Sequence, residues 1–332
     1  MVIEGSFGLD NLKLRERQPD EPGPGEVRLR IKAVSLNRRD LMLVQGTYNP
    51  RQKLPCVPCS DGAGVIEAVG PGCRTVKTDD RAVLHFFTGW AGGEPTTERL
   101  GTALGGPAGD GTLRDTIVVP ESAVLRLPES VSTEAASTLP CAALTAWAAL
   151  VDHAHVAPGD TVLVQGTGGV ALFALQFAKL MGARVIATTS SDAKAARLAE
   201  LGADTVLRRD DPDWPRQARD AANGRIDTII ELGGESLGTS LRLIRSGGII
   251  ALIGVLGGGT TSIPLPLAVM RQVRLQGVTC GPFDSFAAML RAIDRHGIDP
   301  VISHRFAIEE SRAAFEAMEQ ERHVGKIVIG LD

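Results

Sequence analysis

The sequence predicts an α/β protein in which a doubly wound parallel sheet is joined to a second, β-rich unit with barrel character. Three observations carry this. From residue 161 onward, short apolar β-branched runs alternate with helix-length segments, as in a parallel sheet with crossover helices. One strand-to-helix turn has the spacing G-x-G-x-x-A, filled by Gly166, Gly168 and Ala171. The first 127 residues show instead short strands broken by frequent turn residues. At 332 residues the chain exceeds the usual size of a single core, so two domains are expected.

The glycine turn is the most informative stretch. Residues 161–165 read as a buried parallel strand, and Gly166-Thr167-Gly168-Gly169-Val170-Ala171 leads into a helix over 170–181. The first glycine permits a tight turn, the second lets backbone approach a pyrophosphate, and the small third residue lets helix pack on strand. The N–H groups at the start of that helix would face the phosphates. Gly182 closes the helix and a second strand follows at 184–188.

Taken in order, 27–34 alternates as a strand with one wet face, 35–42 enters a short helix, and Gly46–Pro50 ends it. Two short strands are expected within 55–72, another at 79–87, and a long glycine-rich loop over 88–111. Strands return at 112–120 and 122–127. A single helix is expected over 132–149, capped by Ser132 with Glu134 in its first turn. Beyond the glycine turn come helix 192–201, strand 204–207, helix 215–223, strand 227–232, helix 237–244 and strand 248–255, with a last strand at 273–280. Helices at 286–296 and 311–320 and a strand at 325–330 form a tail that rejoins the first domain.

Composition narrows the function class. The chain is 43% apolar and 22% charged with net charge −4, so it has no basic field for nucleic acid. The N-terminus lacks the basic head and apolar core of a signal peptide, and no apolar run spans a bilayer, so a soluble cytoplasmic protein without membrane partners is expected. The five cysteines make an odd set, which argues against a disulfide scaffold. Cys56-Val-Pro-Cys59 is flanked by prolines with no following helix and no second ligand pair, so it reads as packing rather than redox or zinc chemistry. Hydrolase constellations are absent.

The segments 35–40 (Ser-Leu-Asn-Arg-Arg-Asp), 58–70 (Pro-Cys-Ser-Asp-Gly-Ala-Gly-Val-Ile-Glu-Ala-Val-Gly), 139–147 (Leu-Pro-Cys-Ala-Ala-Leu-Thr-Ala-Trp) and the glycine turn together resemble the medium-chain dehydrogenase/reductase superfamily. The likeness covers nearly the whole chain and is greatest to its zinc-free quinone oxidoreductase branch, whose relatives are often named alcohol dehydrogenases. It implies a GroES-like catalytic domain over 1–142 and 279–332 and a Rossmann domain over 143–278. It also implies an enzyme that transfers a hydride between nicotinamide and a quinone, enone, ketone or aldehyde. Zinc-dependent members carry a cysteine where this chain has Asn37, His-Glu where it has Ser60-Asp61, and a second cysteine at Cys141. One ligand of three survives, which implies no catalytic zinc. Nor does the loop 88–111 contain the four cysteines of a structural zinc lobe.

Some other donor must then stabilise charge on the substrate oxygen. By resemblance Asn37 and Tyr48 stand beside the nicotinamide, Asp40 orients neighbouring donors, Arg38 and Lys326 lie near phosphate, and Thr145, Gly233, Ile253 and Val255 line the cofactor crevice. The plainer readings are that Asn37 caps a helix, Tyr48 marks its end, and Lys326 is a strand-end charge. Phe86, Phe87 and Trp90 are read as a pocket wall or as core, and His85 as structural.

Nucleotide choice rests on the end of the second strand. NAD sites place an acidic residue there; this chain has Thr189, Ser190 and Ser191, with Lys194 following and Asp192 expected to cap the next helix. Hydroxyls and a cation suit a 2′-phosphate, so NADP(H) is expected over NAD(H). A homodimer formed through the sheet-edge strand 273–280 is expected. A nucleotide-binding protein without turnover and a zinc-dependent alcohol dehydrogenase are the competing readings.

Overall fold

A computed structural model describes residues 1–107, 109–254 and 257–331. The chain forms two compact units, Met1–Leu144 with Pro282–Asp332, and Thr145–Gly281.

The second unit is built on six parallel strands. Across the sheet they run Thr205–Arg208, Arg184–Thr189, Thr161–Gln165, Ile226–Glu231, Ile244–Leu252 and Arg274–Gly277. In chain order this is 3-2-1-4-5-6, the doubly wound dinucleotide topology whose ligand crevice lies outside the carboxyl ends of strands one and four. Thr161–Gln165 and Ile226–Glu231 are buried along their whole length, as central strands covered on both faces are. Ala171 is completely buried in the helix Gly169–Leu180.

Among the described residues, the first unit holds a seven-stranded sheet and a separate pair of short strands, Val2–Ile3 with Leu12–Lys13. Its long strand Glu26–Ser35 pairs antiparallel with Asp61–Val69, with Thr116–Pro120 and with Lys326–Gly330. Arg81–Leu84, Val124–Arg126 and Ile302–Ala307 extend it. Lys326–Gly330 thus carries the C-terminal tail into the first unit, between Ile302–Ala307 and Glu26–Ser35. Gly64 is required here: a Cβ on it would lie 1.8 Å from the carbonyl oxygen of Arg30 on the paired strand.

Several elements differ from expectation. The region 55–72 holds one strand, Asp61–Val69; Cys59 in the left-handed region (φ 75°) ends the extended chain before it. The expected helix over 132–149 is α only at Thr133–Ser137 and Leu144–Trp147, with wide π turns at Leu139–Ala143 and Ala148–His153. Pro140 lacks an N–H and crowds the carbonyl four residues earlier, so a regular ladder cannot pass it. Ser132 does cap, accepting the Ala135 N–H at 3.1 Å. Asp192 does not: the helix Asp192–Glu200 is preceded by Ser191, and the Asp192 carboxylate is paired with Arg208 instead. The edge strand is shorter than expected, Arg274–Gly277. Among the described residues no helix is long and apolar enough to cross a membrane.

Candidate active site

At the carboxyl end of the parallel strands, Gly166 takes the left-handed conformation (φ 88°), which a side chain would strain. Its N–H is held by the Thr188 carbonyl at 2.9 Å. A Cβ built on Gly166 or Gly168 meets nothing within 4 Å, so the backbone of this turn is open to close approach. Gly168 is the residue before the helix Gly169–Leu180, whose first turn holds no acidic group to repel an anion. Thr167 is buried, and Gly169 and Val170 are half-buried at the helix start. Beside the turn, the buried Thr188 hydroxyl has no partner. An open glycine backbone, an undisturbed helix N-terminus and an orphan hydroxyl together fit a dinucleotide pyrophosphate.

A network missed in the sequence holds this crevice in shape. The Glu231 carboxylate is fully buried and accepts from the Ser236 and Ser240 hydroxyls at 2.5 Å each. It also accepts from the Gly234 N–H and the Gln165 amide at 3.1 Å. Gln165 precedes the glycine turn and Glu231 ends strand four, so four donors on one carboxylate tie the two crevice walls together. Gly233 and Ile253 lie on the same wall: the Ile253 N–H donates to Glu231 O at 3.0 Å. Val255 lies outside the described residues. Thr145 is buried, its hydroxyl 3.5 Å from the Cys280 sulfur.

At the end of the second strand, Thr189 is buried and its hydroxyl accepts the Ser191 N–H at 3.3 Å. Ser190 is exposed and Lys194 half-buried in the first turn of the next helix. Arg208, opposite Thr189 on the neighbouring strand, donates to the Ser190 carbonyl at 2.9 Å and pairs with Asp210 and Asp192. It brings a guanidinium to this corner; only the strand register reveals it.

In the first unit the polar residues converge on the end of the long strand. Asn37 follows that strand and precedes the short helix Arg38–Val44. The Asp40 carboxylate, fully buried, accepts the Asn37 N–H at 2.8 Å and the Arg39 guanidinium at 3.4 Å. Burial outweighs the neighbouring Arg39 and, with Asp61 adding repulsion, pushes the Asp40 carboxyl up to about 6. The Asn37 cap expectation is half met: its N–H is capped by Asp40, but its side chain turns elsewhere. Asn37 Oδ1 accepts from Lys326 Nζ at 2.6 Å, and Asn37 Nδ2, buried, has no partner.

Lys326 is 3% exposed and also donates to the Leu36 carbonyl at 2.8 Å, with Asp61 at 3.7 Å. In the structure its contacts are with protein acceptors. Asp61 in turn accepts from Ser60 Oγ at 2.8 Å and from the Cys141 N–H at 3.3 Å. Arg38 is half-exposed and pairs with Glu321.

Arg39 is buried. Its guanidinium donates to the Leu104 and Gly105 carbonyls at 2.9 and 2.8 Å and lies 4.7 Å from the Tyr48 ring and 5.2 Å from Phe86. The long loop thus has a structural role, supplying the carbonyls that hold Arg39. Tyr48 keeps 41% of its surface exposed. Phe86, Phe87 and Trp90 are buried against one another with His85, so they are core first. Cys56 and Cys59 are buried in the apolar core, and burial pushes the Cys56 thiol up to about 11.

The donor set around Asn37 is a poor one for zinc. An amide, a serine and a carboxylate replace soft or imidazole ligands, and an ammonium already stands on the amide oxygen and near the carboxylate. Among the described residues, no three His, Cys, Asp or Glu side chains are placed to hold a metal ion.

Two family models match the chain. Residues 23–129 match the alcohol dehydrogenase GroES-like domain and residues 169–295 the zinc-binding dehydrogenase family. A zinc-type alcohol dehydrogenase-like protein of Schizosaccharomyces pombe is 38% identical, covering 100% of this chain and 99% of that one. The crystal structure of an NAD-dependent alcohol dehydrogenase superposes with TM-score 0.90 at 31% identity, over 100% of this chain and 99% of that one. A 2-octenoyl-CoA carboxylase reductase in complex with NADP and 2-octenoyl-CoA gives TM-score 0.88 at 25% identity, over 97% and 82%. With its GroES-like and Rossmann units and these relatives, the chain belongs to the medium-chain dehydrogenase/reductase superfamily and is an NAD(P)H-dependent oxidoreductase.

Proposed function

We propose that this enzyme is a zinc-independent, NADP(H)-preferring reductase or dehydrogenase of quinones, enones, ketones or aldehydes. The observation that carries the chemistry is Asn37: a buried amide whose oxygen is fixed by a cation and whose N–H₂ is left without a partner. Such an orphan donor is costly unless something satisfies it, and a substrate oxygen gaining negative charge does so. The nicotinamide, when bound, supplies or accepts the hydride. The chain's own residues do the rest. Asn37 donates to the substrate oxygen. Tyr48, half-exposed and flanked by the Arg39 guanidinium, carries a phenol able to exchange a proton with solvent. Asp40 holds the Asn37 backbone and Arg39 in register.

The phosphates are assigned to Gly166, Thr167, Gly168, Gly169 and Val170, and the 2′-phosphate to Thr189, Ser190, Ser191 and Lys194. Thr145, Gly233, Ile253 and Val255 are proposed to line the nicotinamide side, and Arg38 to reach the pyrophosphate. Solved relatives include both an NAD-dependent enzyme and one holding NADP, so the preference rests on Thr189 standing where an acid would bind the ribose diol. The edge strand Arg274–Gly277, beside the exposed Leu265, Val269 and Met270, supports pairing into a homodimer.

Titration of NADPH and NADH by fluorescence, with turnover against a panel of quinones, enones, ketones and aldehydes, tests the reading. NADPH should bind more tightly, and Thr189→Asp should move preference toward NADH. Asn37→Ala should lower kcat about a hundredfold, the usual loss for one oxyanion donor. Tighter NADH binding, a normal kcat in Asn37→Ala, or one tightly held zinc per chain in the active protein would each overturn a part of it.

A further inference from the structure

Lys326 is a charged side chain almost wholly buried in a sheet of apolar neighbours, and such a group is costly unless every proton finds an acceptor. The backbone pins it in place. Gly325 takes the left-handed conformation (φ 79°) and a Cβ there would lie 2.1 Å from the Val301 oxygen, so the chain enters the strand Lys326–Gly330 only one way. The Lys326 N–H donates to that same Val301 oxygen at 2.8 Å, and the Leu36 N–H donates to Ile327 O at 3.0 Å. The end of the strand Glu26–Ser35 and the start of Lys326–Gly330 are thereby clamped together, one residue before Asn37.

Within that clamp the ammonium meets three acceptors: the Leu36 carbonyl, Asn37 Oδ1 and, at 3.7 Å, the Asp61 carboxylate. A lysine ammonium can only donate. The amide of Asn37 must therefore turn its oxygen toward Lys326, which leaves Nδ2 on the opposite side as the donor without a partner. At 2.6 Å this is a short, charge-assisted bond, and it withdraws electron density from the amide. Resting on the catalytic reading of Asn37 above, we infer that Lys326 is a positioning residue. Its ammonium locks and polarises the Asn37 amide so that the amide N–H₂ is the electrophilic donor to the substrate oxygen. The nearby Asp61 balances the charge and is itself held by Ser60 and the Cys141 N–H.

The test has an arm that needs no turnover. The chain contains four asparagines, so selective ¹⁵N-asparagine labelling gives four side-chain NH₂ pairs, and the Asn37 pair is the one lost in Asn37→Ala. In Lys326→Met this pair should shift or broaden as the amide begins to flip, while the other three stay put. An Asn37 pair identical to wild type would overturn the inference.

The second arm uses NADPH with trans-cinnamaldehyde and with 9,10-phenanthrenequinone as acceptors. Lys326→Met should lower kcat at least tenfold in the wild-type background and less than twofold when added to Asn37→Ala, because it acts through that amide. Equal losses in both backgrounds would refute the coupling. NADPH affinity should stay within twofold; a tenfold loss would put Lys326 on the cofactor and overturn the proposal. Should Asn37→Ala keep full activity, the catalytic reading of Asn37 fails, while the resonance of its amide still decides whether Lys326 orients it. Because Lys326→Met leaves Asp61 without its cation, all arms are repeated in Asp61→Asn/Lys326→Met, which buries no unbalanced charge and should give the same Asn37 shift.

Discussion

Replacing Asp40 by asparagine should change how the stability of the protein depends on pH. Asp40 is fully buried, and burial pushes its carboxyl from the ordinary 3.8 up to about 6 despite the adjacent Arg39. Between those values the folded protein holds a proton that the unfolded chain has released. Stability therefore falls as pH rises through this window, and it is fully present only below the unfolded value. At ~1.4 kcal/mol per tenfold, the gap from 3.8 to about 6 corresponds to a loss of about 3 kcal/mol by neutral pH. Asparagine is nearly isosteric with the neutral acid, can still accept the Asn37 N–H, and does not titrate. Urea unfolding of both proteins at pH 3.0, 4.5, 6.0 and 7.5 reads the difference. The variant should match wild type at the acid end and gain on it by about 3 kcal/mol toward neutral pH. A pH-independent difference would refute the reasoning. A variant that loses ground as pH rises would mean that the Arg39 contact, not burial, governs this carboxyl.

Two further substitutions probe the frame of the site. Gly64→Ala places a Cβ 1.8 Å from the Arg30 carbonyl oxygen, which forces the central strands apart; a loss of at least about 3 kcal/mol in urea unfolding is expected, or insoluble protein. Glu231→Gln replaces an acceptor of four donors with an amide that faces donors, so it should cost about 1–3 kcal/mol and weaken cofactor binding severalfold in the fluorescence titration.

Much of the cofactor half was legible in the sequence because its signals are local. A left-handed turn needs Gly166, a helix packed on a strand needs the small Ala171, and the alternating apolar runs that follow need a parallel sheet. The departures have local causes too, but ones that periodicity hides. Pro140 sits inside a well-spaced apolar pattern, so the run 132–149 looks like one helix although its hydrogen-bond ladder cannot be regular. Asp192 is at the right spacing for a cap, yet a guanidinium from the neighbouring strand offers its carboxylate a stronger partner.

The sequence by itself determined the doubly wound unit, the dinucleotide turn and the absence of an acidic residue at Thr189, because each follows from the conformational limits or charge of a few adjacent residues. Tertiary structure alone decided what the other unit's polar residues do. Asn37 and Lys326 are 289 positions apart, and only strand pairing brings an ammonium onto that amide. Burial, which no short window reveals, turned Asp40 into a carboxyl that holds its proton to about pH 6. It also makes Lys326 an internal cation, because a buried charge must take the acceptors that the fold places around it.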